Sequence, residues 1–298
     1  MKTIIPGTVP QPFLHSQLLA AIAPRPIAFA GTVDKEGNPN LAPFSFFNVF
    51  SSNPPIVVFS PARSGRTGKT KNTLDNVIEV PEVVINIVNY AIAEQCNIAS
   101  TEYEKGINEY IKAGLTPIAS DLIKPFRVKE SPVQLECKVI EVKPLGDGGG
   151  AGNLIIAEVL KMHIAEEVLD EHGKIDQFKM DLVARMGYNF WCRAGKENMF
   201  KVTNPVSTNT IGFDRIPNDI KNSSILSGND LGKLANIASL PDETEVNEYK
   251  LMELSDLFIE FLDHKAILEE KLHHLAKIQI EEGKINEAWK TLLAFNNR

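Results

Sequence analysis

Cysteine is scarce, with three residues in a chain of 298. Cys96, Cys137 and Cys192 are odd in number, far apart and without a CxxC pair, so neither a disulfide framework nor a zinc site is indicated. Long apolar runs are missing too, and Met1-Lys2-Thr3-Ile4-Ile5-Pro6-Gly7 lacks the apolar core of a signal peptide. A cytoplasmic protein with no membrane partner is therefore expected. Positive charge is not in excess: a formal net charge of -7 argues against nucleic acid as the main partner, because such proteins carry basic stripes that neutralise phosphates. The six histidines form no ligand or triad pattern, so no metal is expected, and there is no internal repeat or low-complexity segment.

Against that acidic background, residues 56–73 stand out. The apolar run Ile56-Val57-Val58-Phe59 ends in a loop carrying Arg63, Arg66, Lys69 and Lys71, with hydroxyls at Ser64, Thr67, Thr70 and Thr73 and no carboxylate. Cations interleaved with hydroxyl donors are what a phosphate group needs, whereas the alternative is a plain solvated loop. Gly68-Lys69-Thr70 imitates a nucleotide-hydrolase P-loop, but that motif requires a glycine where Arg63 stands. Thr73 is expected to cap a helix over 74–80, whose first amides would add to an anion site.

The rest of the chain reads as short strands joined by glycine and proline turns. After a short helical stretch at 16–22, a hairpin is expected: one strand from Ile27 to Val33, a turn at Gly37, and one strand from Leu41 to Phe50. Strands over 83–88 and 133–139 follow, the latter alternating apolar and polar residues, with helical insertions at 91–99 and 107–113. Gly146-Asp147-Gly148-Gly149-Gly150-Ala151 resembles a dinucleotide fingerprint, but the alternating strand before it and the Ile, Leu and Val after it favour a flexible hairpin loop. This pattern points to a β-barrel rather than an alternating α/β sheet. Ser45, Asn48, Ser51 and Ser52 stand among Phe44, Phe46, Phe47 and Phe50, which suits a flat polar ligand or a strand with one face in water. Arg185, beside Gly187 and the aromatics Tyr188, Phe190 and Trp191, is either a second ring clamp or an aromatic corner with a surface arginine. From about Ser207 strand formers become few, and 247–295 carries leucines and phenylalanines at helical spacing. Two units are expected: a barrel over 1–205 and a C-terminal extension over 206–298 with two or three helices.

Several ordered motifs carry a family resemblance: Arg25-Pro26-Ile27-Ala28, Asn40-Leu41-Ala42-Pro43-Phe44-Ser45-Phe46-Phe47-Asn48, Ser51-Ser52-Asn53-Pro54-Pro55, Lys71-Asn72-Thr73 and Arg185-Met186-Gly187. Over roughly 12–205 the chain resembles the flavin reductase-like, FMN-binding split-barrel proteins, including flavoredoxin-type members. The resemblance implies a mainly β protein with helical insertions, a Greek-key split β-barrel that dimerises and holds FMN near the subunit interface. It implies that Ser45, Phe46, Phe47, Asn48, Ser51 and Ser52 line the flavin ring and ribityl chain. Arg63, Lys69, Lys71 and Thr73 would meet the phosphate, and Arg185 would lie near the cofactor. Asn72 stands where the family usually has an acid. The implied activity is hydride transfer from NADH or NADPH to the flavin, with electrons passed onward, an acceptor protein being among the partners the resemblance allows. The alternative is an FMN-binding electron carrier or FMN store without nicotinamide turnover. Catalysis of this type belongs to the cofactor, so no catalytic side chain is singled out.

Overall fold

A computed structural model describes residues 1–205 and 209–296. The chain forms two compact units, Met1–Met199 and Phe200–Arg298. The observed division thus falls a few residues before the one anticipated between 205 and 206, and Ser207, where the sequence changes character, lies outside the described residues.

The first unit opens with α1 (Gln11–Ala21), which begins earlier than its apolar stretch suggests because Pro12 is tolerated in a first helical turn. The strands β1 (Ala28–Val33), β2 (Pro39–Phe44), β3 (Phe47–Ser52) and β4 (Pro55–Phe59) precede α2 (Asn72–Glu79) and β5 (Glu82–Ile87). The helices α3 (Ala93–Ile98) and α4 (Glu109–Ala113) and the short pair β6 (Pro117–Ile118) and β7 (Arg127–Val128) lead to the long hairpin of β8 (Val133–Pro144) and β9 (Asn153–Ile164). A short helix, α5 (Gln177–Met180), and the pair β10 (Val183–Arg185) and β11 (Trp191–Arg193) complete the unit.

Seven strands form one antiparallel sheet in the order β2-β1-β5-β8-β9-β4-β3. The single strand expected from Leu41 to Phe50 is in fact two, β2 and β3, which stand at opposite edges of that sheet. A flat sheet of this size would hold its outer strands roughly 29 Å apart at ~4.8 Å per strand. The backbone from Phe44 to Phe47 reaches at most about 11 Å. The sheet must therefore curl until its edges nearly meet, and Ser45-Phe46 is the link across the split. Register shifts at Glu136/Cys137 and Val139/Glu141 help the long hairpin bend.

Both faces of β1 are buried, and alternate residues serve different cores. Ala28 and Ala30 join Val57, Phe59, Val83, Ile85, Leu135 and Ile155 in the interior of the barrel, with Leu74 and Val77 of α2. Ile27 and Phe29 face a second cluster with Ile92, Cys96, Tyr110 and Val128, where α3 and α4 cover the sheet. Gly31 makes this cover possible: a Cβ there would lie 2.6 Å from the Tyr110 hydroxyl and 2.7 Å from the Phe126 carbonyl. The Tyr110 hydroxyl donates to that carbonyl at 2.7 Å. Cys96 and Cys137 are small buried apolar residues, each thiol pushed up to about 12 by burial, while Cys192 is half-buried.

The glycine-rich stretch at 146–152 is the hairpin loop between β8 and β9, as expected. It supports the basic loop: Arg63 N donates to Ala151 O at 2.9 Å and Gly150 N donates to Arg63 O at 3.1 Å.

The second unit is helical from further upstream than the leucine pattern indicates. It contains α6 (Asn218–Lys221), α7 (Gly228–Ala235), α8 (Glu243–Glu253), α9 (Ser255–Glu260), α10 (Lys265–Glu281) and α11 (Ile285–Leu293). A reciprocal capping box of Ser227 and Asp230 starts α7 well before the stretch 247–295 that carries the leucines and phenylalanines. Leu234, Ile280, Trp289 and Leu292 centre its core, and the Trp289 indole donates to Leu234 O at 3.0 Å. Among the described residues no helix is long and apolar enough to cross a membrane.

Candidate functional site

The strand β4 delivers the basic loop to a cavity of about 420 Å³. Lys69, Thr70 and Lys71 line it from the loop, Asn72 and Thr73 from the first turn of α2, and Ser100–Glu104 from the opposite wall. The helix starts at Asn72 with Lys71 at its N-cap position, so Thr73 lies inside the first turn and is not the cap. Thr73 is buried, and its hydroxyl oxygen accepts from the Asn40 side-chain amide at 3.0 Å, leaving the hydroxyl proton to donate.

The four loop cations are in different states. Among the described residues the Lys69 ammonium has no partner. Lys71 pairs with Glu102, and Arg66 approaches the same carboxylate at 3.6 Å. Arg63 does not line the cavity; its guanidinium folds back to donate to Gly68 O at 3.3 Å, and its buried Nε has no hydrogen-bond partner. The hydrogen bond from Lys71, with the charges of Lys71 and Arg66, holds the Glu102 carboxyl below the usual carboxylate range. Glu109, also on the cavity wall, is pushed the other way by burial, although it accepts from Leu41 N at 3.0 Å.

Phe44 lines this cavity, but Ser45, Phe46, Phe47, Asn48, Ser51 and Ser52 do not. Ser45 accepts from Arg25 Nε at 3.3 Å, and the Phe46 ring meets His15 edge-on, with centroids 6.4 Å apart. Phe47 packs on the barrel core, while Asn48 points outward and accepts from Val49 N at 2.8 Å. Ser51 is half-buried and Ser52 exposed on the edge strand β3, next to Val49 and Phe50, which are 66% and 68% exposed.

Arg185 stands elsewhere, on a second cavity of about 590 Å³ with Tyr90, Phe190, Trp191 and Arg193. Its guanidinium lies 5.1 Å from the Trp191 ring centroid and donates to Tyr188 O at 3.2 Å. In this single chain Lys69, Lys71 and Thr73 are brought together at the cavity, but Arg63, Ser45 to Ser52 and Arg185 are not brought to them.

Two contributors were missed in the sequence. Glu102 is remote from the loop in the chain and carries no pattern of its own. Arg25 was visible as part of a motif but not as the keystone it is: 7% exposed, it donates to Leu19 O, Ile22 O and Met186 O at 2.6, 2.7 and 3.0 Å. It thereby ties α1, the β2–β3 link and the segment after β10 to one guanidinium. Gly187 in that segment admits α1 closely, since a Cβ there would lie 2.9 Å from Ala20.

Away from these cavities, Asp121, Glu136 and His163 bring ligand atoms within 4.8 Å of one another. Lys161 already sits 2.5 Å from Asp121, and Arg127 3.9 Å from both carboxylates, so cations of the protein itself neutralise the group. Burial opposes ionisation of Glu136, but hydrogen bonds from Asp121 N, His163 and Leu122 N outweigh it and the carboxyl lies below its ordinary value. A carboxyl lowered on folding contributes stability that is fully present above the unfolded value, about 4.3, and is lost as pH falls through the folded one. Glu136→Gln is expected to lower stability at pH 7 by about 2 kcal/mol. Thermal melts should show that deficit shrinking as the pH falls below about 4.

The family described as "Flavin reductase like domain" matches residues 20–180. The chain belongs to this family. A protein of Aquifex aeolicus (strain VF5) is 35% identical over 190 residues, covering 63% of this chain and 94% of that one. The crystal structure of nitrilotriacetate monooxygenase component B from Bacillus cereus has 31% identity and a TM-score of 0.63, covering 68% of this chain and 98% of its own. Pseudomonas fluorescens 2-nitrobenzoate 2-nitroreductase NbaA has 26% identity and a TM-score of 0.59, covering 69% and 97%. Flavoredoxin of Desulfovibrio vulgaris (Miyazaki F), at 20% identity and a TM-score of 0.54, shares the fold. The curled sheet of the first unit is thus the split barrel of this family, whose function class is flavin-linked and oxidoreductase-like. The family match ends at residue 180, before the helical unit begins.

Proposed function

We propose that this family member is an FMN-dependent oxidoreductase that accepts hydride from NADH or NADPH and passes electrons onward. The observation that carries the reading is the cavity beside the basic loop, where Lys69 and Lys71 converge with the hydroxyls of Ser64, Thr67 and Thr70. The residues fit a phosphate monoester: such a group carries close to two negative charges at neutral pH, and ammonium and hydroxyl donors satisfy its oxygens. The unpartnered Lys69 ammonium and the orphaned Arg63 Nε leave donor capacity in the same loop. The cavity volume of about 420 Å³ lies in the ordinary range for small-ligand sites. Identity to a monooxygenase component and to a nitroreductase supports a redox role.

When bound, the flavin supplies the hydride chemistry. The chain's own residues bind and orient: Lys69, Lys71 and the first turn of α2 take the phosphate, and the β2–β3 link with β3 offers backbone and hydroxyl groups to the ring. Exposed Val49 and Phe50 on β3 favour a second copy of the chain covering that edge, which would make the working unit a homodimer.

Purified protein is expected to carry, or take up, a yellow chromophore and to oxidise NADH or NADPH steadily with excess FMN. Flavin uptake without nicotinamide turnover would leave the electron-carrier reading in its place. Failure to take up FMN would overturn both.

A further inference from the structure

Glu102 occupies an unusual position for an acid in an anion site. It lies on the connection between α3 and α4, across the cavity from the basic loop. Among the described residues it is the only carboxylate paired with a cation of that loop, meeting both Lys71 and Arg66. Its side chain is 54% exposed and that of Arg66 87%, so the pairing is not locked by packing. Glu104 and Glu109 also line the cavity, but Glu109 is committed to Leu41 N and neither pairs with a loop cation.

We propose that Glu102 is an internal competitor for the phosphate subsite, a residue that lowers FMN affinity and keeps the flavin exchangeable. The inference rests on the FMN reading above. A phosphate and the Glu102 carboxylate need the same Lys71 ammonium. Binding FMN therefore breaks the Glu102 pair, and a carboxylate that stayed would face the phosphate as a like charge. Riboflavin has no phosphate and leaves the pair intact. Glu102 thus acts against the phosphorylated flavin alone and shortens its residence, as suits a protein that passes reduced flavin on. The carboxyl is held ionised across the neutral range, so the competition is always present there.

The test uses the full chain and compares wild type with Glu102→Gln, following binding of FMN and riboflavin by flavin fluorescence and FMN release by stopped flow. Glu102→Gln should tighten FMN about threefold to tenfold, slow its release by a similar factor and leave riboflavin unchanged. In a Lys71→Ala background most of the gain should be lost, because the contested ammonium is gone and only the weaker like-charge repulsion across the cavity remains. If wild type prefers FMN to riboflavin but Glu102→Gln leaves FMN binding unchanged or weaker, the competitor role is overturned and the phosphate reading stands. If wild type binds riboflavin as tightly as FMN, the phosphate reading falls and this inference with it. Because the residue is half-exposed, matched thermal melts of variant and wild type are expected.

Discussion

Replacing Lys71 with alanine is expected to weaken FMN by about ten- to a hundredfold while changing riboflavin by less than about twofold. A hydrogen bond to a charged group contributes about 1.5–3 kcal/mol, and Lys71 is the cation that both lines the cavity and holds the N-cap position of α2. Its loss also leaves the Glu102 carboxylate with only the exposed Arg66 as a partner, adding a weak like charge against the phosphate. Lys71→Arg keeps the charge and should retain most of the affinity. Lys69→Ala, which removes an ammonium with no partner in the described residues, should show the same FMN selectivity at smaller size. Arg63→Ala should differ in kind: its guanidinium braces Gly68 O from outside the cavity, so it is expected to disturb the loop with weaker discrimination between the two flavins. Parallel fluorescence titrations with FMN and riboflavin decide the matter. Equal losses for both ligands in Lys71→Ala would contradict the phosphate role.

Arg25→Ala is expected to cost about 3–5 kcal/mol of stability, read as a lowered midpoint in urea denaturation. The guanidinium is 7% exposed and its donors reach Leu19 O, Ile22 O, Met186 O and Ser45 Oγ. Removing it leaves three part-buried carbonyls without their donor, and each unsatisfied group left buried costs about 1–3 kcal/mol. Arg25→Lys should rescue little, because one ammonium on a flexible stem does not reproduce the planar fork that spans three segments. Ser45→Ala provides the contrast. It loses only the longest of the four contacts, at 3.3 Å, so its effect on stability should stay below about 1 kcal/mol. A flavin-binding defect in Ser45→Ala at unchanged stability would support a ligand role for that hydroxyl, whereas in Arg25→Ala both properties should fall together.

The barrel was legible because its signals are local. Alternation along 133–139 is the register of β8, and the glycine-rich loop is the turn of the hairpin that follows. The basic loop was legible as a chemical contrast, four cations without an acid within residues 61–73. The break between β2 and β3 was not. Leu41 to Phe50 has no glycine to mark a corner, its one proline, Pro43, lies within β2 and not at the break, and only closure of the sheet requires the chain to change edges at Ser45-Phe46. The early helices of the second unit were hidden similarly, since both are short: α6 draws on packing of Ile220, and α7 on its capping box and packing, more than on an extended apolar period.

Composition and order of residues determined by themselves the class of fold and the chemistry of one loop, because strand periodicity and charge clustering act between neighbours in the chain. The tertiary structure alone decided which groups share a cavity. Glu102 and Lys71 are remote in sequence and meet through the wall built between α3 and α4, and Arg25 gathers three segments that no short-range pattern connects. Attraction between unlike charges and the demand of buried carbonyls for donors depend on distance in space, which the folded barrel sets.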